Sequence, residues 1–325
     1  MSQNFDEVTA GSPVAQFYEN RVIFITGSTG FMGKVLVEKL LRSTSVKKIY
    51  LLIRQKKGVA TQARLQDLLS SKLFDSVRTT RAGELSKLVA VHGDITQPRL
   101  GLSTQDEKLL VENVSVVFHS AATVKFDEDL TKSVAMNVES VQSMISLCKK
   151  MKKLEALVHV STAYCNCDRS EIKEEVYPPP GNPQGFIQLC KCMDEETLNS
   201  PEMTAKLIGN RPNTYTFTKS LAENLLITEG AGLPISIVRP SIVSAAWREP
   251  FPGWVDNLNG PTGLIAGCGT GILRTLHCGR DLLADLVPVD IPINLMCCVA
   301  WRTATQPSSC TQVYNCTSSS VNPIT

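Results

Sequence analysis

The sequence has no long apolar run and almost no excess of charge. Residues 263–273 (GLIAGCGTGIL) form its best apolar candidate, which is far shorter than the roughly 20 residues that a membrane-spanning helix needs. The 33 Lys and Arg residues nearly balance the 31 Asp and Glu residues, for a net charge of +2, and they do not form a stripe. A membrane anchor within this chain and a nucleic-acid partner are therefore not expected.

The N-terminal residues carry no apolar leader, and no repeat or low-complexity tract occurs. Eleven cysteines, an odd number, are predicted to be reduced intracellular thiols. At most one residue separates the members of each close pair, which is poor spacing for zinc, so no metal site is predicted. These pairs are Cys165 with Cys167, Cys190 with Cys192, and Cys297 with Cys298.

The stretch RVIFITGSTGFMG organises the chain. Residues 22–26 are apolar or β-branched without alternation, as in a strand buried on both faces of a parallel sheet. Gly27, Gly30 and Gly33 follow, and the next residues show helical periodicity. Glycines at a strand-to-helix turn let a pyrophosphate approach the backbone and the helix N-terminus, although such turns can also be purely structural. This context favours a dinucleotide site.

The second strand, residues 47–54, predicts which dinucleotide binds. Enzymes that prefer NAD place a carboxylate at its end, whereas here Arg54 is followed by Gln55, Lys56 and Lys57. A 2′-phosphate suits this cluster, and a solvated basic loop is the alternative. NADP is the predicted cofactor.

Four further apolar segments predict parallel strands at residues 87–96, 114–122, 154–164 and 234–240. Alternation of these strands with helices predicts an α/β fold, a Rossmann-type doubly wound parallel sheet with a smaller, loop-rich substrate region. Asp94 lies just past the end of the third strand, where it could contact the adenine or act as a turn residue. The small residue Ala121, at the end of the fourth predicted strand, would let the nicotinamide ribose lie against the backbone. His119 in the same strand is interpreted as a core residue.

Residues 165–211 interrupt this pattern and are interpreted as an insertion that forms a substrate wall or lid. Tyr177–Phe186 is predicted to be a proline-rich loop without an element of its own, followed by a polar helix around Lys191–Leu198.

Tyr215 and Lys219 lie four residues apart and so share one face of a predicted helix entered through residues 212–214. Facing a hydroxyl such as that of Thr162 at the end of the fifth strand, they suffice for carbonyl reduction. The ammonium group would lower the pKa of the phenol, which would give its proton to the developing alkoxide. A tyrosine packed on a lysine stem is the structural alternative.

Several phrases of this sequence resemble the alcohol-forming fatty acyl-CoA reductases of the extended short-chain dehydrogenase/reductase superfamily. They are FITGSTGFMGKVLVEKLLRS, IYLLIRQKKG, VFHSAATVKFDEDL, ALVHVSTAYCN, NTYTFTKSLAE and VYNCTSSSVNPIT. The resemblance extends from about residue 20 to the end and implies reduction of a long-chain acyl-CoA by NADPH, through an aldehyde, to a primary alcohol for wax or ether-lipid synthesis.

The resemblance places catalysis on Thr162, Tyr215 and Lys219. Together with the analysis above it gives a cofactor set: Gly27, Thr29, Gly30, Phe31, Gly33, Arg54, Lys57, Asp94, Ala121, Lys219 and Pro240. It also implies a peroxisomal or endoplasmic-reticulum membrane location, and a homo-oligomer is considered.

The expected organisation is a flexible tail (1–19), an NADP-binding domain (20–246) and a substrate-binding region (247–325). Family members continue into a further helical, membrane-attached domain, which is expected to be missing here. Residues from about Trp247 onward, including Leu264, Ile265, Ile272 and Leu273, should then expose apolar surface.

Three alternatives remain at this stage. Cys165 could form an acyl-enzyme, although no histidine or glutamate lies near it in sequence to activate it. A relative that acts on a steroid, flavonoid or nucleotide sugar would share the catalytic residues, and a non-catalytic NADP-binding protein is the third possibility.

Overall fold

A seven-stranded parallel sheet forms the centre of the protein in a computed structural model, which describes residues 11–56, 58–279 and 281–324. The strand order is β3-β2-β1-β4-β5-β6-β9, and every neighbouring pair is parallel. A separate two-stranded sheet joins β7 to β8. The strands are β1 (Val22–Thr26), β2 (Lys48–Ile53), β3 (Leu88–His92), β4 (Val116–His119), β5 (Ala156–Val160), β6 (Ile235–Pro240), β7 (Ile242–Ser244), β8 (Leu286–Pro288) and β9 (Gln312–Cys316).

Helices cover both faces of the sheet, because the central strands are apolar on both sides. The α-helices are α1 (Pro13–Phe17), α2 (Phe31–Ser43), α3 (Thr61–Ser70), α4 (Asp75–Thr80), α5 (Thr104–Asn113), α6 (Leu130–Val134), α7 (Ser140–Cys148), α8 (Pro183–Cys192), α9 (Glu195–Leu198), α10 (Pro201–Ile208), α11 (Thr214–Thr228), α12 (Pro261–Gly269) and α13 (Asp290–Thr305). A π-helical turn, Ala135–Glu139, joins α6 to α7.

Two hydrophobic layers sandwich the sheet. Ile23 and Ile25 of β1 pack with α2 and α13 on one face, whereas Phe24 packs with α5, α7 and α11 on the other. Because β2 and β4 lie on opposite sides of β1, the strand order reverses there. This reversal opens a crevice at the carboxyl ends of β1 and β4, where doubly wound sheets bind ligands.

The predicted domain boundary at residue 246 is wrong, because later residues complete the sheet. Strand β9 pairs with β6 from Ser236 to Pro240, and α13 packs against β5 and β6. Residues 290–316 therefore belong to the same layered unit as β1. Strand β9 begins about seventy residues after β6 ends, and this separation conceals the pairing in the sequence.

The N-terminal prediction is also wrong for the part that the structure describes. Residues 13–17 form α1, and Tyr18 is fully buried with its hydroxyl donating to the Cys297 carbonyl at 2.9 Å. Residues 11–19 are therefore not simply a flexible tail.

The inserted segment contains more helix than predicted. Helix α8 begins at Pro183, inside the expected loop, because Asn182 caps it by accepting a hydrogen bond from the Gly185 amide at 3.2 Å. The helix predicted around residues 191–198 is divided between the end of α8 at Cys192 and the short helix α9, Glu195–Leu198. Phe186 packs edge-on against Phe217 of α11 at 4.8 Å, so the insertion is joined to the outer side of α11.

Apolar side chains are exposed between residues 258 and 283, as predicted. Leu264, Ile265 and Ile272 are 45%, 67% and 85% exposed, while Leu273 is partly buried. None of the helices in the described ranges has the length and apolar character needed to cross a bilayer.

Candidate active site

The glycine turn lies where β1 passes into α2, and its three glycines have little or no room for a side chain at their own positions. Gly27 has φ +77°, and a Cβ there would lie 2.7 Å from the Ala121 amide nitrogen. A Cβ on Gly33 would overlap the Gly27 carbonyl, and one on Gly30 would lie 3.2 Å from the same oxygen. No side chain caps the first turn of α2 within the described part of the chain, so its amides can bind an anion. This cradle fits the pyrophosphate of a dinucleotide.

Thr26 joins the ends of β1 and β4 beside this turn. Its hydroxyl accepts a hydrogen bond from the Ala121 amide at 3.2 Å and lies 2.8 Å from His119 Nδ1. Burial lowers the pKa of His119 to about 3, with a smaller contribution from the Lys219 charge, so the imidazole stays neutral. His119 therefore has the structural position expected of a core residue.

Two guanidinium groups lie at the carboxyl end of β2. Arg64 of α3 donates to the Arg54 carbonyl at 2.6 Å and to Thr29 Oγ1 at 3.3 Å. Burial and the Arg54 charge lower the pKa of Arg64. Two cations that repel each other beside the glycine turn suit a bound phosphate. Lys57, the other predicted cation, lies outside the described residues.

Asp94 adopts the turn role that was considered for it. Its Oδ1 accepts hydrogen bonds from the Thr96 amide at 3.0 Å and the Thr96 hydroxyl at 2.9 Å. The other oxygen lies 3.8 Å from Arg54 Nη1, so Asp94 also orients the cation. An adenine contact stays a prediction.

Two further members of the predicted cofactor set lie on different elements, Phe31 at the start of α2 and Pro240 at the end of β6. The ring of Phe31 stacks on Trp254 at 5.5 Å and 12°, so its side chain packs while its amide begins α2. Pro240 ends β6 opposite Cys316 of β9.

The predicted catalytic side chains meet at the carboxyl end of β5. Asn213 caps α11, and a hydrogen bond links the Tyr215 phenol to the Thr162 hydroxyl. Burial raises the pKa of Tyr215 to about 12, although the bond from Thr162 opposes this rise. The predicted lowering of this pKa is therefore wrong in the structure, because the effect of burial exceeds that of the hydrogen bond from Thr162.

Lys219 is buried one turn further along α11. Its ammonium group donates to the Val160 carbonyl at 2.8 Å, which holds it at the end of β5. Burial lowers its pKa to about 8, while Glu223 and Cys165 oppose the change. Lys219 is thus mostly positively charged at neutral pH, and a small rise in pH removes the charge.

The comparisons with known proteins show the family of this chain. A family model of NAD-binding domains, described as male sterility protein, matches residues 25–296. The chain belongs to this family. Membership identifies the region around the glycine turn as part of an NAD(P)-binding domain.

Two similar proteins with curated names are reductases. Fatty acyl-CoA reductase 1 of Mus musculus is 48% identical over 311 residues, which cover 95% of this chain and 60% of that protein. Fatty acyl-CoA reductase 2 of Bos taurus is 45% identical over 313 residues, which cover 96% of this chain and 60% of that protein. The chain thus spans about 60% of the length of these relatives. The resemblance inferred from sequence phrases is confirmed.

A solved structure confirms the fold. The reductase domain of a nonribosomal peptide synthetase from Mycobacterium tuberculosis superimposes with a TM-score of 0.67 at 21% identity, covering 97% of this chain and 72% of that one.

In this male sterility family domain, an ion pair that was not predicted from the sequence is buried beneath α11. Arg239 donates to both carboxylate oxygens of Glu223, at 2.8 and 2.6 Å, and both residues are at most 1% exposed. The same guanidinium donates to the Lys173 and Glu175 carbonyls at 3.0 and 2.8 Å. The pair therefore fixes the beginning of the insertion to α11. The spacing of Glu223 four residues after Lys219 was the available signal.

The environment of Cys165 disfavours the covalent alternative. Its thiol is fully buried and donates to Glu223 Oε1 at 3.3 Å. Burial, followed by the negative charge of Glu223, raises the pKa of Cys165 far above its ordinary value. A nucleophilic cysteine needs the opposite shift, toward the thiolate.

Proposed function

We propose that this domain reduces long-chain fatty acyl-CoA to a primary fatty alcohol with NADPH. The observation that carries the proposal is the meeting of Tyr215, Thr162 and Lys219 at the carboxyl end of β5, at the same edge of the sheet as the glycine cradle. The names of the curated relatives support the acyl-CoA substrate.

The preference for NADPH over NADH is proposed from the cations at the end of β2. Arg64 donates to Thr29, and burial together with the charge of Arg54 lowers the pKa of Arg64. A 2′-phosphate would relieve the repulsion between these two cations and accept charge-assisted hydrogen bonds. A ribose hydroxyl would offer neither compensation.

When bound, NADPH supplies the hydride that reduces the carbonyl. Thr162 and the Tyr215 hydroxyl would both donate to the carbonyl oxygen, where negative charge develops. Because its pKa is about 12, Tyr215 stays protonated until an alkoxide, a much stronger base, takes its proton. Lys219, held by Val160, keeps a positive charge next to this transfer.

The atom balance requires two such reductions. The first hydride and proton convert the thioester to a hemithioacetal, whose collapse breaks the C–S bond and releases CoA and an aldehyde. The second hydride and proton convert the aldehyde to the alcohol. Each alcohol therefore consumes two molecules of NADPH, and Tyr215 donates a proton in both reductions.

The test incubates the purified chain with palmitoyl-CoA and NADPH and identifies products by mass spectrometry. We expect hexadecanol, with two NADPH oxidised per alcohol. Tyr215→Phe should lower kcat at least about 100-fold, the usual contribution of a proton donor, and leave the Kd for NADPH within about twofold. Absence of reduced product from the unaltered chain, or near-normal turnover by Tyr215→Phe, would refute the proposal.

A further inference from the structure

Two large apolar side chains are exposed beside the proposed proton donor. Val124 and Phe126 lie in the loop between β4 and α6 and are 63% and 65% exposed. The Phe126 ring lies 5.9 Å from the Tyr215 ring, at an angle of 30°. The loop therefore presents apolar surface next to the phenol that contacts Thr162.

The first end of this loop is fixed by an asparagine in the π-helical turn. Asn137 Oδ1 accepts from the Thr123 amide at 3.0 Å, and its Nδ2 donates to the Thr123 carbonyl at 3.3 Å. The same nitrogen donates to Thr218 Oγ1 of α11 at 3.0 Å. Because Asn137 is buried, these bonds hold Thr123 against the catalytic helix.

The second end is fixed by Glu128. Its carbonyl accepts from the Thr214 hydroxyl at 2.9 Å, and its carboxylate accepts from the Thr123 hydroxyl at 3.2 Å and from Lys132 at 2.7 Å. Both ends of the loop are thus joined to each other and to α11. The exposed side chains between them are presented by a preorganised segment, which reduces the ordering cost of binding.

The chemistry of the loop favours an apolar occupant over a sugar or another polar ligand. Thr123 bonds to both Asn137 and Glu128, so the polar groups of these three residues are already engaged within the protein. Lys125 and Asp127 are also exposed on this loop, but Phe126 is the loop residue whose ring lies against Tyr215. Val124 and Phe126 offer only apolar contact. The position of Phe126 beside Tyr215 places that contact next to the carbonyl whose oxygen the phenol would protonate.

We propose that Val124 and Phe126 form a preformed contact site for the acyl chain, touching the methylene groups nearest the reacting carbonyl. This inference rests on the proposed acyl-CoA reduction and adds the residues that select an aliphatic substrate. Methylene groups packed on the Phe126 ring would remove exposed apolar surface from water on both molecules.

The test uses aldehydes, since they contain the reacting carbonyl and the chain without the CoA group. The kcat/KM for hexadecanal and acetaldehyde with NADPH is measured for the unaltered chain, Phe126→Ala and Val124→Ala. Leu109→Ala, which removes a partly exposed apolar side chain on α5, is the matched control. Calorimetric binding of hexadecanol with NADP⁺ present provides a readout that does not need turnover.

Phe126→Ala should lower the preference for hexadecanal over acetaldehyde about tenfold and weaken hexadecanol binding by a similar factor. A tenfold change corresponds to about 1.4 kcal/mol, within the range for partial burial of a large apolar side chain. Leu109→Ala should change neither quantity.

The outcomes separate the two proposals. If Phe126→Ala and Val124→Ala retain the original preference and hexadecanol affinity, or if the unaltered chain does not bind hexadecanol, the contact site is overturned. If the chain binds hexadecanol in a Phe126-dependent manner but reduces neither acyl-CoA nor aldehyde, the contact site stands and the proposed function fails.

Discussion

Replacement of Lys219 by methionine should remove catalysis and at the same time stabilise the fold at neutral pH. Lys219 is 2% exposed, and its burial lowers the pKa of the amine from 10.5 to about 8. At pH 7 the folded protein therefore retains a buried positive charge that burial disfavours. Methionine has a similar length and no charge.

The magnitude follows from the two pKa values. The difference between 10.5 and about 8, at about 1.4 kcal/mol per pKa unit, corresponds to a cost of about 3 kcal/mol for keeping Lys219 charged in the fold. Loss of the hydrogen bond to the Val160 carbonyl offsets about 1 kcal/mol of the gain. Lys219→Met should therefore raise the free energy of unfolding at pH 7 by about 2 kcal/mol.

The pH dependence has a definite sign. Between pH 8 and 10.5 the unfolded chain keeps a proton on Lys219 that the folded chain has lost, so stability from this group rises with pH. The contribution of Lys219 to stability is greatest above pH 10.5 and is lost as the pH falls to about 8. The advantage of Lys219→Met should consequently shrink by about 2 to 3 kcal/mol between pH 7 and pH 10 and change sign.

Urea unfolding of the apo chains at several pH values measures this difference, and titrations shared by both chains cancel. Lys149→Met, at an exposed position after α7, is the matched control and should change stability by less than about 0.5 kcal/mol. A constant difference between Lys219→Met and the unaltered chain from pH 7 to 10 would show that the buried-charge reasoning is wrong.

Two further predictions concern the cofactor and the thiol. Arg54→Ala and Arg64→Ala should each raise the Kd for NADPH about tenfold or more, since a charge-assisted hydrogen bond contributes roughly 1.5 to 3 kcal/mol. The same substitutions should change the Kd for NADH less than about twofold. Equal losses of affinity for NADPH and NADH in fluorescence titrations would mean that these residues only shape the loop. Cys165→Ala should keep kcat within about fivefold of the unaltered chain, because its thiol is protonated and bonded to Glu223. A loss of more than about 100-fold, with an acyl-enzyme trapped in the unaltered chain, would instead support covalent catalysis.

Features encoded in contiguous residues were predictable from the sequence. The turn at Gly27 needs a strand before it and a helix after it, and all three signals lie within 22 residues. Tyr215 and Lys219 share a face because helical geometry fixes the relation between residues four apart. The position of Thr162 beside Tyr215 could be expected because parallel strands end at one edge of a sheet.

Features that depend on distant residues were not predictable in the same way. Arg64 lies in the helix after the expected cation cluster, and only its folded position brings it to Thr29. The pairing of Arg239 with Glu223 requires β6 to lie under α11. The pKa of Tyr215 depends on how deeply the fold buries it, which no local pattern reveals.

The late strand β9 also has a consequence for synthesis of the protein. As the chain leaves the ribosome, β1 to β5 can pair in sequence order or with near neighbours, but β6 has an open edge until residues 312–316 emerge. An open parallel edge can pair with other chains. A shortened product that ends before residue 312 should therefore contain the glycine turn, Tyr215 and Lys219, yet aggregate through β6, the strand that carries Arg239.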